Sequence, residues 1–175
     1  MKTVLLLRHA KSGWSNPGLT DHERPLSARG ERAADLMADH VARKTPRPDI
    51  ILCSTAVRTR QTLAPLVRRL TTPAPPISLE KGLYLASETA LLTRLRALPD
   101  EAATVLLIGH NEGIGQLAEA LAGRGPSALI DALREKFPTG ALATLRTPAQ
   151  HWADLAMGSA ELVAFVRPRD VAGAA

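Results

Sequence analysis

Aromatic residues are scarce, making up 3% of the 175 residues. The interior must therefore be built from Leu, Val, Ile and Ala, and the stacking platforms that hold single-stranded nucleic acid are excluded for want of rings. Cysteine is rarer still: Cys53 stands alone. That excludes an internal disulfide framework and any cysteine-cluster metal site; at the end of an apolar run, Cys53 reads as a small buried hydrophobe. No apolar run approaches the roughly 18 residues that a membrane-spanning helix requires. The 22 basic residues exceed the 17 acidic ones for a net charge of +5, but they nowhere form a block of five or six. The surplus reads either as Arg-rich solvated helices or as affinity for an anionic substrate such as a phosphate, not as a nucleic-acid site. Neither a Walker-type G-x-x-x-x-G-K-[ST] nor an H-E-x-x-H motif occurs. Gly113-Ile114-Gly115-Gln116-Leu117-Ala118 does fit the relaxed dinucleotide fingerprint. The strand ending in an acidic residue about 20 positions later, which the ribose contact requires, is missing. A nucleotide cofactor is not expected.

What is present is an ordinary globular balance, 45% hydrophobic and 22% charged. The length suits one domain over residues 1–175, burying roughly 70% of its unfolded surface. Four apolar runs punctuate the chain: Val4–Leu7, Ile50–Cys53, Val105–Ile108 and Leu162–Val166. Runs apolar at every position suit strands buried on both faces. Helical patterns lie between them, from an N-cap at Ser27 through about Val41, and over Ala56–Leu70, Glu88–Leu98 and Gly113–Leu121. Two further strands are expected at Ile77–Leu79 and Gly140–Arg146, with loops at 16–18, 71–76 and 123–126. The alternation predicts an α/β fold, a three-layer α/β/α sandwich around a mostly parallel sheet, and the short link near 147–154 predicts an antiparallel edge pair.

In such sheets ligands bind beyond the carboxyl ends of the strands. Arg8-His9-Ala10-Lys11 follows the first apolar run, Ser54 with Arg58 four residues on follows the second, and Gly109-His110-Asn111 follows the third. Three strand ends thus deliver two arginines and two histidines to one edge. Guanidinium forks match phosphoryl oxygens and keep their charge. A neutral imidazole is a competent nucleophile, and a second histidine can stabilise the charge that spreads in the transition state. The set fits phosphoryl transfer through a phosphohistidine intermediate, with no metal required.

Leu6-Leu7-Arg8-His9-Ala10 resembles the Arg-His-Gly signature of the histidine phosphatase (phosphoglycerate mutase-like) superfamily. Ser54-Thr55-Ala56-Val57-Arg58-Thr59-Arg60-Gln61-Thr62 is similar to its second element, Ser-x-x-x-Arg-x-x-Gln-Thr, and Gly109-His110-Asn111 to its third. The likeness runs in the family's order from Leu6 to about Gly113. The short length, Asp21-His22-Glu23-Arg24-Pro25-Leu26, Leu83-Tyr84-Leu85-Ala86-Ser87 and His110-Asn111-Glu112-Gly113 resemble the SixA-type phosphohistidine phosphatase branch. The resemblance implies that His9 takes the phosphoryl group and that Arg8, Arg58 and His110 line the phosphate pocket. The spacing back from Gln61-Thr62 selects Arg58 over Arg60. Lys11, Ser12, Arg24 and Asn111 are the further candidates for substrate contact. His22, His40 and His151 read as peripheral.

Two positions depart from the pattern. Ala10 stands where the family has Gly, which is tolerable if the backbone there does not need a positive φ. Thr55 replaces a Pro that often follows the Ser. Relatives in this family usually supply a general acid from the region after the third strand; here the options are Glu80, Glu88 or none. The absence of a clear acid leans towards phosphohistidine, whose protonated imidazole leaves readily. The expectation is a metal-independent phosphatase, without cofactor, acting on a phosphorylated signalling or phosphotransfer protein. The alternatives are a phosphatase of small phosphate esters and a non-catalytic phospho-ligand module. The segment 123–137 is the one place for a lid. A cytoplasmic monomer, binding neither nucleic acid nor membrane, is the default.

Overall fold

Apolar runs become strands wherever both faces of a sheet are covered, and this organises the computed structural model, which describes residues 1–14 and 16–173. The strands are β1 (Lys2–Arg8), β2 (Ile50–Ser54), β3 (Ile77–Glu80), β4 (Thr104–Gly109), β5 (Ala122–Arg124), β6 (Leu142–Thr147) and β7 (Ala160–Val166). The helices are α1 (Ala28–Lys44), α2 (Val57–Arg69), α3 (Glu88–Arg96), α4 (Gly113–Leu121), α5 (Ser127–Glu135) and α6 (Pro168–Gly173). One seven-stranded sheet has the order β3-β2-β4-β1-β6-β7-β5. β6 runs antiparallel to both its neighbours, and the other pairings are parallel.

The period-2 alternation of β1 and β4 divides the interior. Leu5, Leu7, Leu106 and Ile108 pack with Met37 and Val41 of α1 and Leu63 and Leu66 of α2. Val4, Leu6, Val105 and Leu107 pack on the other face with Leu91 and Leu95 of α3, Leu117 of α4 and Leu133 of α5. This is the expected three-layer α/β/α sandwich. Ser27 and Ser87 cap α1 and α3 by accepting from the N–H groups of Gly30 and Ala90, a contribution of about 1 kcal/mol each. Among the described residues no helix is long and apolar enough to cross a membrane.

The fold departs from expectation in the 123–137 segment. The loop expected at 123–126 overlaps β5, a three-residue strand that pairs with β7 and places the antiparallel β6–β7 pair one strand in from the edge. No free lid forms after it. Leu133 of α5 and the following Phe137 are buried, and Leu129 and Ile130 pack on the same cluster, so the apolar face of this segment is docked on the core. Helix α6 was also unforeseen; its Val171 packs against the α1/α2 side.

The strand order sets β2, β4 and β1 side by side, with Arg8 opposite Gly109 and Cys53 opposite Ile108. Their carboxyl ends therefore open onto one place. The chain after β1 is drawn against α1 at Gly30, where a Cβ would sit 1.9 Å from the Lys11 carbonyl oxygen. Only glycine lets the helix come so close. That same carbonyl accepts from the Ser27 backbone N–H at 2.9 Å.

Candidate active site

His9 leaves β1 with its backbone N–H donating to the Gly109 carbonyl at 3.0 Å. Its Nδ1 lies 2.6 Å from the Ala10 carbonyl oxygen. A carbonyl only accepts, so this contact assigns the proton to Nδ1 and leaves a lone pair on Nε2. The Ala10 N–H donates to Thr62 Oγ1 at 3.0 Å, and that hydroxyl donates to the Arg58 carbonyl at 2.7 Å. Gln61 Oε1 accepts from the Leu26 N–H at 2.7 Å. The Gln-Thr pair of the second motif thus fastens the loop that follows His9 to α2. Ala10 is buried with Leu26 and Ala34 and has no positive φ, so its methyl group is accommodated without strain.

Arg58 is 4% exposed although it carries a full charge. Its guanidinium donates to the Asp21 carbonyl at 2.7 Å and to Asp21 Oδ2 at 3.0 Å. Asp21 belongs to a short 3₁₀ turn over Asp21–Glu23 in the long loop after β1. Its carboxylate also accepts from Arg24 at 2.9 Å and from the Tyr84 hydroxyl. Arg24 in turn lies over the Trp14 ring, 3.4 Å from its centroid, and donates to Ser12 Oγ. Arg8 donates to the Phe137 carbonyl at 2.9 Å. His110 Nε2 is 2.8 Å from Ser54 Oγ, and Ser54 Oγ accepts weakly from the Ala56 N–H at 3.3 Å. With the serine hydroxyl donating, the His110 proton is on Nδ1. The His9 and His110 ring centroids are 5.4 Å apart.

Arg8, His9, Lys11, Ser12, Arg24, Arg58, His110 and Asn111 all line one cavity of about 370 Å³, together with Trp14, Leu85 and Thr139. Three buried nitrogens of these residues, Arg8 Nε, Arg24 Nε and His110 Nδ1, have no hydrogen-bond partner among the described residues. Buried unpaired donors are costly, and a cluster of them in a cationic cavity suits an anion with several oxygens. The arrangement also sets the histidines' charge state. Burial, assisted by Arg58, Arg8 and Arg24, pushes His9 down to about 4 against the pull of the Ala10 carbonyl. Burial, then the neighbouring His9 and Arg58, pushes His110 down to about 3. Both imidazoles are therefore neutral at pH 7, and His9 Nε2 is available for attack.

Neither of the two carboxyl groups considered as general acid lines the cavity. Glu80 ends β3 and binds Arg94 through both oxygens, at 2.7 and 2.8 Å. The Arg94 hydrogen bonds hold it below the ordinary carboxylate range despite its partial burial. Glu88 opens α3. Asp21, which the sequence does not single out as a site residue, pairs with two arginines of the cavity wall, Arg24 and Arg58. Burial pushes it up, but the hydrogen bonds from Tyr84 and Arg58 outweigh this and hold it below its usual value. It is an anion that positions arginines. Its sequence signal is weak, since apart from the neighbouring Arg24 its partners are the distant Arg58 and Tyr84.

Other residues divide between wall and brace. The Asn111 side chain donates to the Phe137 carbonyl at 3.1 Å and accepts from the Gly115 N–H at 3.2 Å, so both ends of its amide hold the wall together. Thr55 bonds to His22 Nε2 at 2.9 Å, and His22 meets the Tyr84 ring edge-on. Arg60 points away into solvent, as the motif spacing requires.

The model of the histidine phosphatase superfamily (branch 1) matches residues 4–84. An uncharacterized protein of Mycobacterium tuberculosis is 39% identical over 165 residues, covering 93% of this chain and all of that one. Among solved structures, a candidate phosphohistidine phosphatase SixA from Nakamurella multipartitia is 34% identical, with a TM-score of 0.82 over 95% of this chain and 96% of its own. Its counterpart from Agrobacterium tumefaciens is 34% identical, with a TM-score of 0.80 over 95% and 98%. With the strand-end motifs in order and likeness of this extent, the chain belongs to the histidine phosphatase superfamily, among its SixA-type members.

Proposed function

We propose that this histidine phosphatase removes the phosphoryl group from phosphohistidine in a signalling or phosphotransfer protein, by way of a phosphohistidine on His9 and without a metal ion. The observation that carries the reading is a neutral His9 with Nε2 free in a cavity walled by three guanidiniums, where no carboxyl group is placed to protonate an ester oxygen. In this scheme Nε2 attacks phosphorus and the P–N bond to the substrate imidazole breaks. The leaving ring carries a proton on its other nitrogen, so it departs as neutral imidazole and needs no acid from the enzyme. His9 keeps its Nδ1 proton towards Ala10. Water then attacks the phosphorus, the P–N bond to His9 breaks with its electron pair returning to Nε2, and the product leaves as dihydrogen phosphate carrying both of the water's protons. Arg8, Arg24 and Arg58 balance the charge on the equatorial oxygens, the part a metal plays elsewhere. The His110 Nδ1–H is the donor suited to one of those oxygens. Lys11 and Ser12 stand at the rim. The names of the 34% identical relatives, which carry the phosphohistidine designation, support the same substrate class.

Phosphorus NMR on a mixture of a phosphohistidine peptide, a phosphoserine peptide and a sugar phosphate, with magnesium chelated, tests this directly. The phosphohistidine signal is expected to disappear first, and a His9→Ala variant to slow that loss by about 10⁴-fold or more. Preferential ester hydrolysis, or full activity in the variant, overturns the reading.

A further inference from the structure

A second cavity, of about 410 Å³, adjoins the first, and Lys11 and Thr139 line both. Its walls come from the loop after β1, the first turn of α1, the end of α5 and the start of α6. Its lining holds the cations Lys11, Arg29, Lys136, Arg167 and Arg169 against a single carboxylate, Glu135. Arg167 is neutralised by two contacts of 2.9 Å to Asp170. Lys11, Arg29, Lys136 and Arg169 are exposed, and none is ion-paired among the described residues. Four like charges gathered on one rim repel one another, and neither the packing nor the chemistry of the first cavity uses Arg29, Lys136 or Arg169. The floor between them is apolar, with Ala33, Ala132 and Pro138.

We propose that this groove docks an acidic face of the phosphoprotein substrate while the phosphohistidine enters the catalytic cavity. The inference rests on the phosphohistidine reading and adds the chemistry of the partner. A second phosphate is the less apt occupant. Phosphate is gripped by buried donors converging on one point, as Arg8, Arg58 and His110 do next door. The four unpaired cations of the groove, Lys11, Arg29, Lys136 and Arg169, are exposed, on long flexible stems, and come from four separate parts of the chain. That pattern meets several carboxylates spread over a protein surface, with the apolar floor taking the side chains between them. It also accounts for part of the net charge of +5.

The test compares two phosphohistidine peptides of equal length, one flanked by Asp and Glu and one by Ser and Asn. The enzymes are the wild type and an Arg29→Gln/Lys136→Gln/Arg169→Gln variant; Lys11 is left alone because it lines the catalytic cavity. The wild type is expected to favour the acidic peptide by about tenfold through KM at low salt, with the preference fading as salt screens it. The variant is expected to treat both peptides alike and to turn over the neutral one at the wild-type rate. Equal handling by the wild type, or a preference retained in the variant, overturns the proposal. So does a variant whose only defect is a raised KM for a bisphosphorylated small molecule. If neither peptide is dephosphorylated, the phosphohistidine reading fails by itself. Fluorescence anisotropy of the unphosphorylated acidic peptide then decides the groove, and equal binding to the two proteins overturns it.

Discussion

The two cavities that meet at Lys11 and Thr139 are both cationic, yet they are built on opposite plans. In the catalytic cavity the guanidiniums are held in place. Arg58 is buried and bound twice by Asp21, Arg8 is tied to the Phe137 carbonyl, and Arg24 is clamped between Asp21 and the Trp14 ring. Burying such charges is costly without a partner, and Asp21 supplies one in advance. In the groove Lys11, Arg29, Lys136 and Arg169 are exposed and, among the described residues, unpaired, free to change rotamer and screened by salt. The contrast is one between fixed charge, which can stabilise a transition state without reorganising, and adaptable charge, which can recognise but not catalyse. Perturbing the first should change kcat with little regard to salt. Perturbing the second should change KM, in proportion to screening.

The largest expected effect on that contrast comes from Arg58→Gln. The substitution removes a fork from the phosphate and leaves the Asp21 carboxylate with Arg24 and the Tyr84 hydroxyl as its remaining side-chain partners. Turnover should fall by about 10²- to 10³-fold, equally at low and high salt, as measured by steady-state kinetics on a phosphohistidine peptide. Arg58→Lys should recover only part of this, because an ammonium cannot make the paired contacts to Asp21. A defect lying wholly in KM and vanishing with salt would erase the distinction between the cavities.

A smaller effect sharpens it. His9 and His110 stand near 4 and 3, both below the usual 6.5. A group whose value is depressed by folding contributes its full stability above its unfolded value and loses it as pH falls towards the folded one. The melting temperature should therefore drop between about pH 6.5 and pH 3, most of the His9 share being lost by about pH 4. Over the upper part of that range activity should persist, since His9 stays unprotonated until near pH 4. A His9→Asn variant, followed by circular dichroism from pH 7 to 4, should lose less melting temperature than the wild type. Identical profiles would mean that the cavity does not depress His9.

The central layer of this molecule was readable because its signals are local. Val4–Leu7 and Val105–Ile108 are apolar at every position, which only a twice-covered strand explains, and the residues after them fall at one edge by topology alone. Helix α4 lies where Gly113 and Leu121 bound its pattern. The misses share a different cause. Asp21 and Tyr84 owe their roles to Arg58, which lies 37 residues from the one and 26 from the other in sequence, so neither could be picked out from its neighbours. β5 is three residues long and includes Gly123, where a Cβ would sit 1.9 Å from the Gly158 carbonyl oxygen; its strand character comes from β7. Helix α5 did carry a signal, Leu129, Ile130 and Leu133 at helical spacing. The Gly and Pro residues before it mask that pattern, which leaves the stretch as the one place for a lid.

The smallest expected effect bears on the substrate. If an ester were the substrate, an acid would have to reach the leaving oxygen, and Glu80 was one of two candidates. The structure commits it to Arg94 and to the Ser78 hydroxyl, which donates to it at 2.7 Å. Both ion-pair partners are partly exposed, at 22% for Glu80 and 29% for Arg94, so the pair is worth no more than about 1 kcal/mol after solvent screening. Glu80→Gln should lower stability by that amount or less in urea denaturation and leave kcat/KM within about twofold on every substrate. A loss of orders of magnitude confined to esters would mean that the Glu80–Arg94 pair opens to let the carboxyl reach the cavity. The argument from a missing acid would then lose its premise, while the fixed arginines and neutral histidines would serve ester and phosphoramidate alike.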